Sequence, residues 1–119
     1  MSNSTFNGCS NLTTVTGLSN ITSIPGNAFR SCGNLTSVDI DFQNITKIED
    51  YTFYNCSNLE FNSHLNLSSV TSIGQNAFYN CAKLVIDEFP RVQRYYTQTF
   101  TSIGNTTITI PKEVEQMDN

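Results

Sequence analysis

Four cysteines are the residues of this 119-residue chain with the widest chemical repertoire, as nucleophiles, metal ligands or disulfide partners. They stand at Cys9, Cys32, Cys56 and Cys81, with separations of 23, 24 and 25 residues. Such wide spacing matches no compact zinc pattern of closely paired ligands. Near-equal steps would stack the four as a ladder. Neighbouring Cα atoms about 5 Å apart satisfy the distance limit for a disulfide, but parallel Cβ vectors do not favour the S–S torsion. The expectation is a column of buried, reduced thiols acting as small hydrophobes, with metal binding as the alternative.

The single histidine, His64, falls in the longest stretch between apolar anchors and has no Cys, Ser or carboxylate at a recurring position, so it reads as a solvated loop residue. Catalysis by nucleophile and base needs the two within hydrogen-bond reach. Ser and Thr abound, yet none sits in a nucleophile elbow or a Gly-rich phosphate loop. No catalytic, cofactor-binding or metal-ligating set is assigned. Asn3, Asn11, Asn20, Asn34, Asn44, Asn55, Asn66 and Asn105 all head Asn-x-Ser/Thr sequons. These are either glycan acceptors or by-products of a repeated Asn-Leu-Thr or Asn-Ile-Thr element. Asn11, Asn34, Asn58 and Asn105 also precede a recurring position as turn formers, expected to adopt left-handed backbone or to bond their own backbone.

Only 13% of the chain is charged, the net charge is −4 and the pI is about 4.6. Six scattered Lys and Arg cannot make a phosphate-binding footprint, which excludes a nucleic-acid partner. No run of eighteen apolar residues spans a membrane and Met1 to Ser10 carries no export signal. An apolar content of 38% is thin for a globule of this size but sufficient for a solenoid.

The elements that position these residues are set by a repeat. Phe-x-x-Cys-x-x-Leu occurs at Phe6/Cys9/Leu12, Phe29/Cys32/Leu35, Phe53/Cys56/Leu59 and Phe78/Cys81/Leu84, with a decayed fifth at Phe100/Ile103. Eight residues before each later Phe stand Ile21, Ile45, Val70 and Val92, and five before it Ile24, Ile48, Ile73 and Tyr95. Phe-to-Phe steps of 23, 24, 25 and 22 mark one supersecondary unit per copy. The spacing from each Leu to the next anchor, 9, 10, 11 and 8, absorbs all of that variation, so insertions fall at one edge.

Leu35 to Ile40 ends in apolar–polar alternation with β-branched residues and predicts a short strand. Its counterparts are Leu12 to Thr16 and, less cleanly, Leu59 to Ser63 and Leu84 to Phe89, where Asp87 at the Val38 position predicts a bulge or register shift. The Ile-Thr-x-Ile half-repeat predicts a second extended line opposite. Between them, Ala-Phe-x-x-Cys is long enough only for a 3₁₀ or single α-turn.

In the segments Ile45-Thr46-Lys47-Ile48, Tyr51-Thr52-Phe53-Tyr54-Asn55-Cys56-Ser57-Asn58-Leu59 and Ile110-Pro111, the chain resembles the BspA-like leucine-rich repeats of surface proteins. The resemblance runs from about residue 6 to residue 117. It implies a β-rich, right-handed leucine-rich-repeat solenoid, α/β by convention, with a strand side that often binds proteins and a cell-surface setting. Residues 1–119 then form one domain of about five repeats, starting near 6, 29, 53, 78 and 100, with a partial last unit around Val114 and Met117.

Function is sought where the copies differ. The outward strand positions Thr14, Thr16, Ser37, Asp39, Phe61, Ser63, Ile86 and Glu88 would align laterally, either as a recognition face for another protein or cell-surface ligand or as a merely solvated sheet. A secondary column one residue after each Phe contains Arg30, Tyr54 and Tyr79, either an interface or flat packing. The sequence thus points to a non-enzymatic binding module without cofactor. The alternative is an assembly protein that self-associates through uncapped end repeats.

Overall fold

The computed structural model describes residues 1–61, 64–96, 98–109 and 116–118. Its axis is set by five phenylalanines. Phe6, Phe29, Phe53, Phe78 and Phe100 stack ring over ring at 5.5, 5.2, 5.4 and 5.9 Å between centroids, with interplanar angles from 3° to 14°. Leu35, Leu59 and Leu84, Cys32, Cys56 and Cys81, and the anchors Ile24, Ile48, Ile73 and Tyr95 are buried beside them in one continuous core. A residue type repeated at a fixed step meets its own copy above and below, so each column packs like with like.

The Phe-x-x-Cys-x-x-Leu segments are chains of tight turns. Each Cys N–H donates to the Phe carbonyl three residues back, at 3.1 to 3.3 Å. None extends into a helix, and the short 3₁₀ helix present (Phe42–Asn44) lies elsewhere, capped by Asp41, whose side chain accepts from the Gln43 N–H. Left-handed residues frame the turns: Ser4, Asn27, Tyr51 and Asn76 two before Phe, and Gly8, Ser31, Asn55, Asn80 and Ser102 two after it. Between these bends the Phe N–H reaches the next repeat: Phe29 to the Thr52 carbonyl and Phe53 to the Ala77 carbonyl, both 2.8 Å. Gly8 and the asparagines fit the left-handed requirement, whereas Ser4, Ser31 and Ser102 adopt it without that preference. Tyr51, at φ 59°, does not fit it either.

Two strand lines flank the turns. On one side β2 (Ser23–Ile24), β4 (Lys47–Ile48) and β6 (Ser72–Ile73) form an unbroken parallel sheet, Ile24 against Ile48 against Ile73. The Thr of Ile-Thr-x-Ile strengthens it, since Thr71 Oγ1 donates to the Thr46 carbonyl at 3.1 Å. On the other side β1 (Thr14–Val15) pairs with β3 (Ser37–Val38), and β5 (Leu65–Asn66) with β7 (Ile86–Glu88), but β3 and β5 do not pair. Past β6, on the first side, β8 (Arg94–Tyr96) carries the next anchor, Tyr95, and pairs in parallel with β9 (Gln116–Asp118).

The break between β3 and β5 corrects the strand expected over Leu59 to Ser63. The N–H groups of Glu60 and Phe61 both donate to the Thr36 carbonyl, at 3.0 and 2.9 Å, and Phe61 then turns the chain away with a φ of 53°. The strand resumes at Leu65, displaced toward the following repeat. Ser63 lies outside the described residues, as does Val114. The irregularity expected near Asp87 is present as a bulge: Leu65 pairs with Ile86, and Asn66 with Glu88.

Candidate recognition face

The broken strand line opens a groove of about 570 Å³ whose lining includes Thr14, Thr16, Ser37, Asp39, Asp41 and Phe61. Five of the eight positions expected on an outward face therefore meet at one place. Sequence reasoning missed Asp41 and Phe42, which enter with the 3₁₀ turn. Asp at its N-cap was the available signal.

Two of the expected residues are not outward. Phe61 is half-buried with its ring edge-on to Phe42 at 5.4 Å and to Phe53 at 6.3 Å, so it forms a wall of the groove and part of the core. Its left-handed backbone swings the side chain inward. Ile86 is buried: inward and outward positions alternate from Leu84 through Ile86, which pairs with buried Leu65, and the bulge follows it. Asp87 and Glu88 then both face solvent, and Glu88 lines a separate shallow groove of about 320 Å³ with Arg91 and Asn105. The single expected column is thus two patches.

Asp39 is exposed but engaged. Its two carboxylate oxygens accept the N–H groups of Gly17 and Leu18, each at 2.7 Å, clamping the first repeat's loop onto the second. Charge-assisted bonds of this length are among the stronger ones in proteins. Substituting Asp39 together with Phe61 is therefore expected to lower stability.

The turn side carries the second expected column. Tyr54 stacks on Tyr79 at 5.1 Å and 13°. The Arg30 guanidinium lies over Tyr51 at 4.6 Å and over Tyr54 at 5.0 Å. Tyr51 holds φ 59° where two other repeats place Asn27 and Asn76. Cation–π contact with Arg30 offsets that strain. Arg30, Tyr54 and Tyr79 are all half-buried, so the column is packed on itself and still partly exposed.

The thiols form the expected ladder. All four are free, and Cys32, Cys56 and Cys81 donate to the carbonyls of Phe6, Phe29 and Phe53 at 3.0, 3.0 and 3.1 Å. Burial raises the pKa of all three, with the neighbouring Cys as a smaller contribution, and pushes Cys56 up to about 12 from the ordinary 9.0. An unfolded thiol ionises first as pH rises, so the folded chain holds the extra proton and stability falls from about pH 9 upward. In urea unfolding at about pH 9 to 11, the wild type is expected to lose stability more steeply than Cys56→Ala. Equal slopes would contradict the buried, protonated thiol.

The asparagines before Leu work across repeats, contrary to the expectation of local turns. Asn34 Nδ2 donates to the Ser10 carbonyl at 2.8 Å and Asn58 Nδ2 to the Gly33 carbonyl at 2.7 Å. Asn105 brackets Ile86, accepting from its N–H at 2.8 Å and donating to its carbonyl at 2.9 Å. Sequons at Asn34, Asn55 and Asn105 thus have their side chains committed, whereas Asn3, Asn11 and Asn20 are exposed. His64 is solvated as expected, but it has a partner: Nδ1 lies 2.8 Å from Asp87 Oδ1, both side chains well exposed. The bulge that turns Asp87 outward creates the pair, and its exposure makes it a weak tie.

Among the described residues no group of three or more His, Cys, Asp or Glu could hold a metal, and no helix is long and apolar enough to cross a membrane. No curated protein matches the chain. Three solved structures share its fold. A leucine-rich repeat protein from Bacteroides ovatus is 20% identical with a TM-score of 0.56, over 100% of this chain and 29% of that one. The Treponema (T. pallidum) leucine-rich repeat protein is 18% identical with a TM-score of 0.61, over 100% and 62%. A leucine-rich cell surface protein from Faecalibacterium prausnitzii is 22% identical with a TM-score of 0.62, over 98% and 40%. The chain thus spans less than two thirds of each solved protein that it resembles. The BspA-type leucine-rich-repeat region matches residues 1–67 and 62–119. With its stacked Phe, Cys and Leu columns and that match along its length, the chain belongs to the BspA-type leucine-rich-repeat family.

Proposed function

We propose that this chain is a single-domain, non-enzymatic recognition module that binds another protein through its strand side, in a cell-surface setting. The observation that carries the reading is the groove beside β3: it lies on the strand side and gathers Thr14, Thr16, Ser37 and Asp39 with Phe61 as its wall. Such a surface mixes hydroxyls, a carboxylate and an aromatic, as interfaces do. The stacked core behind it presents these groups with little ordering cost on binding. Glu88 would serve a second patch. The surface setting is supported by the name of the Faecalibacterium relative and by the family resemblance.

The test is a photo-crosslinking residue placed at Thr16, against a control at exposed Lys83, with the surface-protein fraction of the source organism. A defined partner trapped from Thr16 and absent from Lys83 supports the reading. Equal adducts from both sites, or none from Thr16, would overturn it. Adducts joining two copies of the chain would instead favour self-association.

A further inference from the structure

We infer that the turn side carries a second binding site, in which Arg30, set on a platform of tyrosines, receives the carboxylate of a uronic-acid glycan. The site is independent of the strand-side groove and stands or falls without it. Three observations lead to this ligand.

The first is a strained tyrosine. Tyr51 holds φ 59° at the place that other repeats give to Ser4, Asn27 and Asn76. A bulky side chain is an outlier there, and such outliers persist where the surrounding structure and the function of the site demand them. The Tyr51 ring bears on Arg30. The guanidinium lies 4.6 Å from its centroid and 5.0 Å from that of Tyr54, and the two rings stand 5.3 Å apart, tilted by 59°.

The second is that Arg30 is held but not neutralised. Stacking occupies the flat face of the guanidinium, and Nη1 donates to Asn27 Oδ1 at 3.1 Å. Among the described residues no carboxylate pairs with it, in a chain whose net charge is −4. A half-buried arginine fixed by its face, with N–H donors left on its edge, is pre-organised for a planar carboxylate.

The third is the surroundings. Tyr79 continues the platform, stacked on Tyr54 at 5.1 Å. In the next column, also half-buried, Asn80 Nδ2 donates to Asn55 Oδ1 at 3.2 Å, which leaves the Asn55 amide N–H groups and the Asn80 amide oxygen to a ligand. The main chain here is spent: the N–H groups of Ser31, Asn55 and Asn80 donate to the carbonyls of Tyr54, Tyr79 and Thr101 at 2.7, 2.9 and 2.9 Å. A peptide backbone has nothing to pair with at these turns. Phenols, amides and a fixed guanidinium instead match the hydroxyls and carboxylate of a rigid sugar ring.

The probes are tetragalacturonate, its methyl ester and tetraglutamate, titrated into the protein by calorimetry and by tyrosine fluorescence. The fluorescence reports this site because the chain has no Trp and Tyr51, Tyr54 and Tyr79 are three of its five Tyr. Tetragalacturonate is expected to bind. The ester, with the same rings and no charge, and tetraglutamate, with the charge and no rings, should each bind about tenfold more weakly or worse, as should tetragalacturonate to Arg30→Gln. Asn55→Asp keeps the acceptor for Asn80 and suits left-handed backbone, yet removes the amide donors and adds a negative charge. It is expected to weaken tetragalacturonate several-fold with the unfolding midpoint unchanged, so it decides the matter even where Arg30→Gln fails to fold. No binding of tetragalacturonate, or binding indifferent to these substitutions, overturns the inference. Equal binding of the ester overturns the role of the carboxylate, and equal or tighter binding of tetraglutamate overturns the sugar in favour of an acidic peptide.

Discussion

Phe53→Ala is expected to lower the unfolding free energy by about 3–5 kcal/mol, the range for removing a buried phenylalanine. The ring is fully buried, stacked at 5.2 Å on Phe29 and 5.4 Å on Phe78, with Phe61 edge-on at 6.3 Å. Alanine removes three aromatic contacts as well as apolar area, and the flanking rings are fixed by their own turns, so the cavity cannot collapse. Phe6→Ala, at a half-buried ring touching Phe29 at 5.5 Å, should cost clearly less. Urea titrations of both variants check the difference. A cost below about 1 kcal/mol for Phe53→Ala would mean that the stack is not the main determinant of stability.

Gly74→Ala should be nearly as damaging, about 3 kcal/mol, at the upper end of overpacking costs. A Cβ at residue 74 would lie 2.5 Å from the Asp50 backbone nitrogen and 2.7 Å from its Cα, and would also strike its side-chain oxygen. The backbone cannot yield cheaply, because the Gly74 N–H donates to the Ile48 carbonyl at 2.8 Å and the Gln75 N–H to Asp50 Oδ1 at 3.0 Å. Gly26→Ala is the control: its nearest neighbour would be the Asp50 carbonyl oxygen at 3.4 Å. Thermal unfolding of the pair separates close backbone approach from a generic loss of glycine. Matching midpoints would remove the steric argument.

The columns were readable from spacing because each is a local statement, repeated. Phe, Cys and Leu recur at fixed offsets within seven residues, and a stack brings every copy to its equivalent without further information. The Ile-Thr-x-Ile line was readable for the same reason. The face was only partly readable, since its layout depends on where an inserted residue is absorbed. One extra residue after Leu59 goes with a left-handed Phe61 that turns inward and a strand that starts only at Leu65, and the bulge opposite it leaves Asp87 and Glu88 both outward. Either outcome fits the local sequence, and the neighbouring repeats decide between them. Asp39 was placed outward correctly, but its bonds run to Gly17 and Leu18 in the preceding repeat, beyond any local pattern. The asparagines were misread similarly, as local turn formers, because their acceptors lie in another repeat.

The gap between β3 and β5 also bears on how the molecule comes apart. Repeat proteins open in units set by their nearest-neighbour interfaces. On the gapped side, among the described residues, the backbone tie between the second and third repeats runs through the Thr36 carbonyl. What couples those two units is then the unbroken β2–β4–β6 line, the turn bonds and the Phe29–Phe53 stack. The sheet works as a spine and the gap as the side from which it can flex. A partner seated in the groove would restrain that side, so its binding is expected to slow amide exchange in repeats remote from the groove.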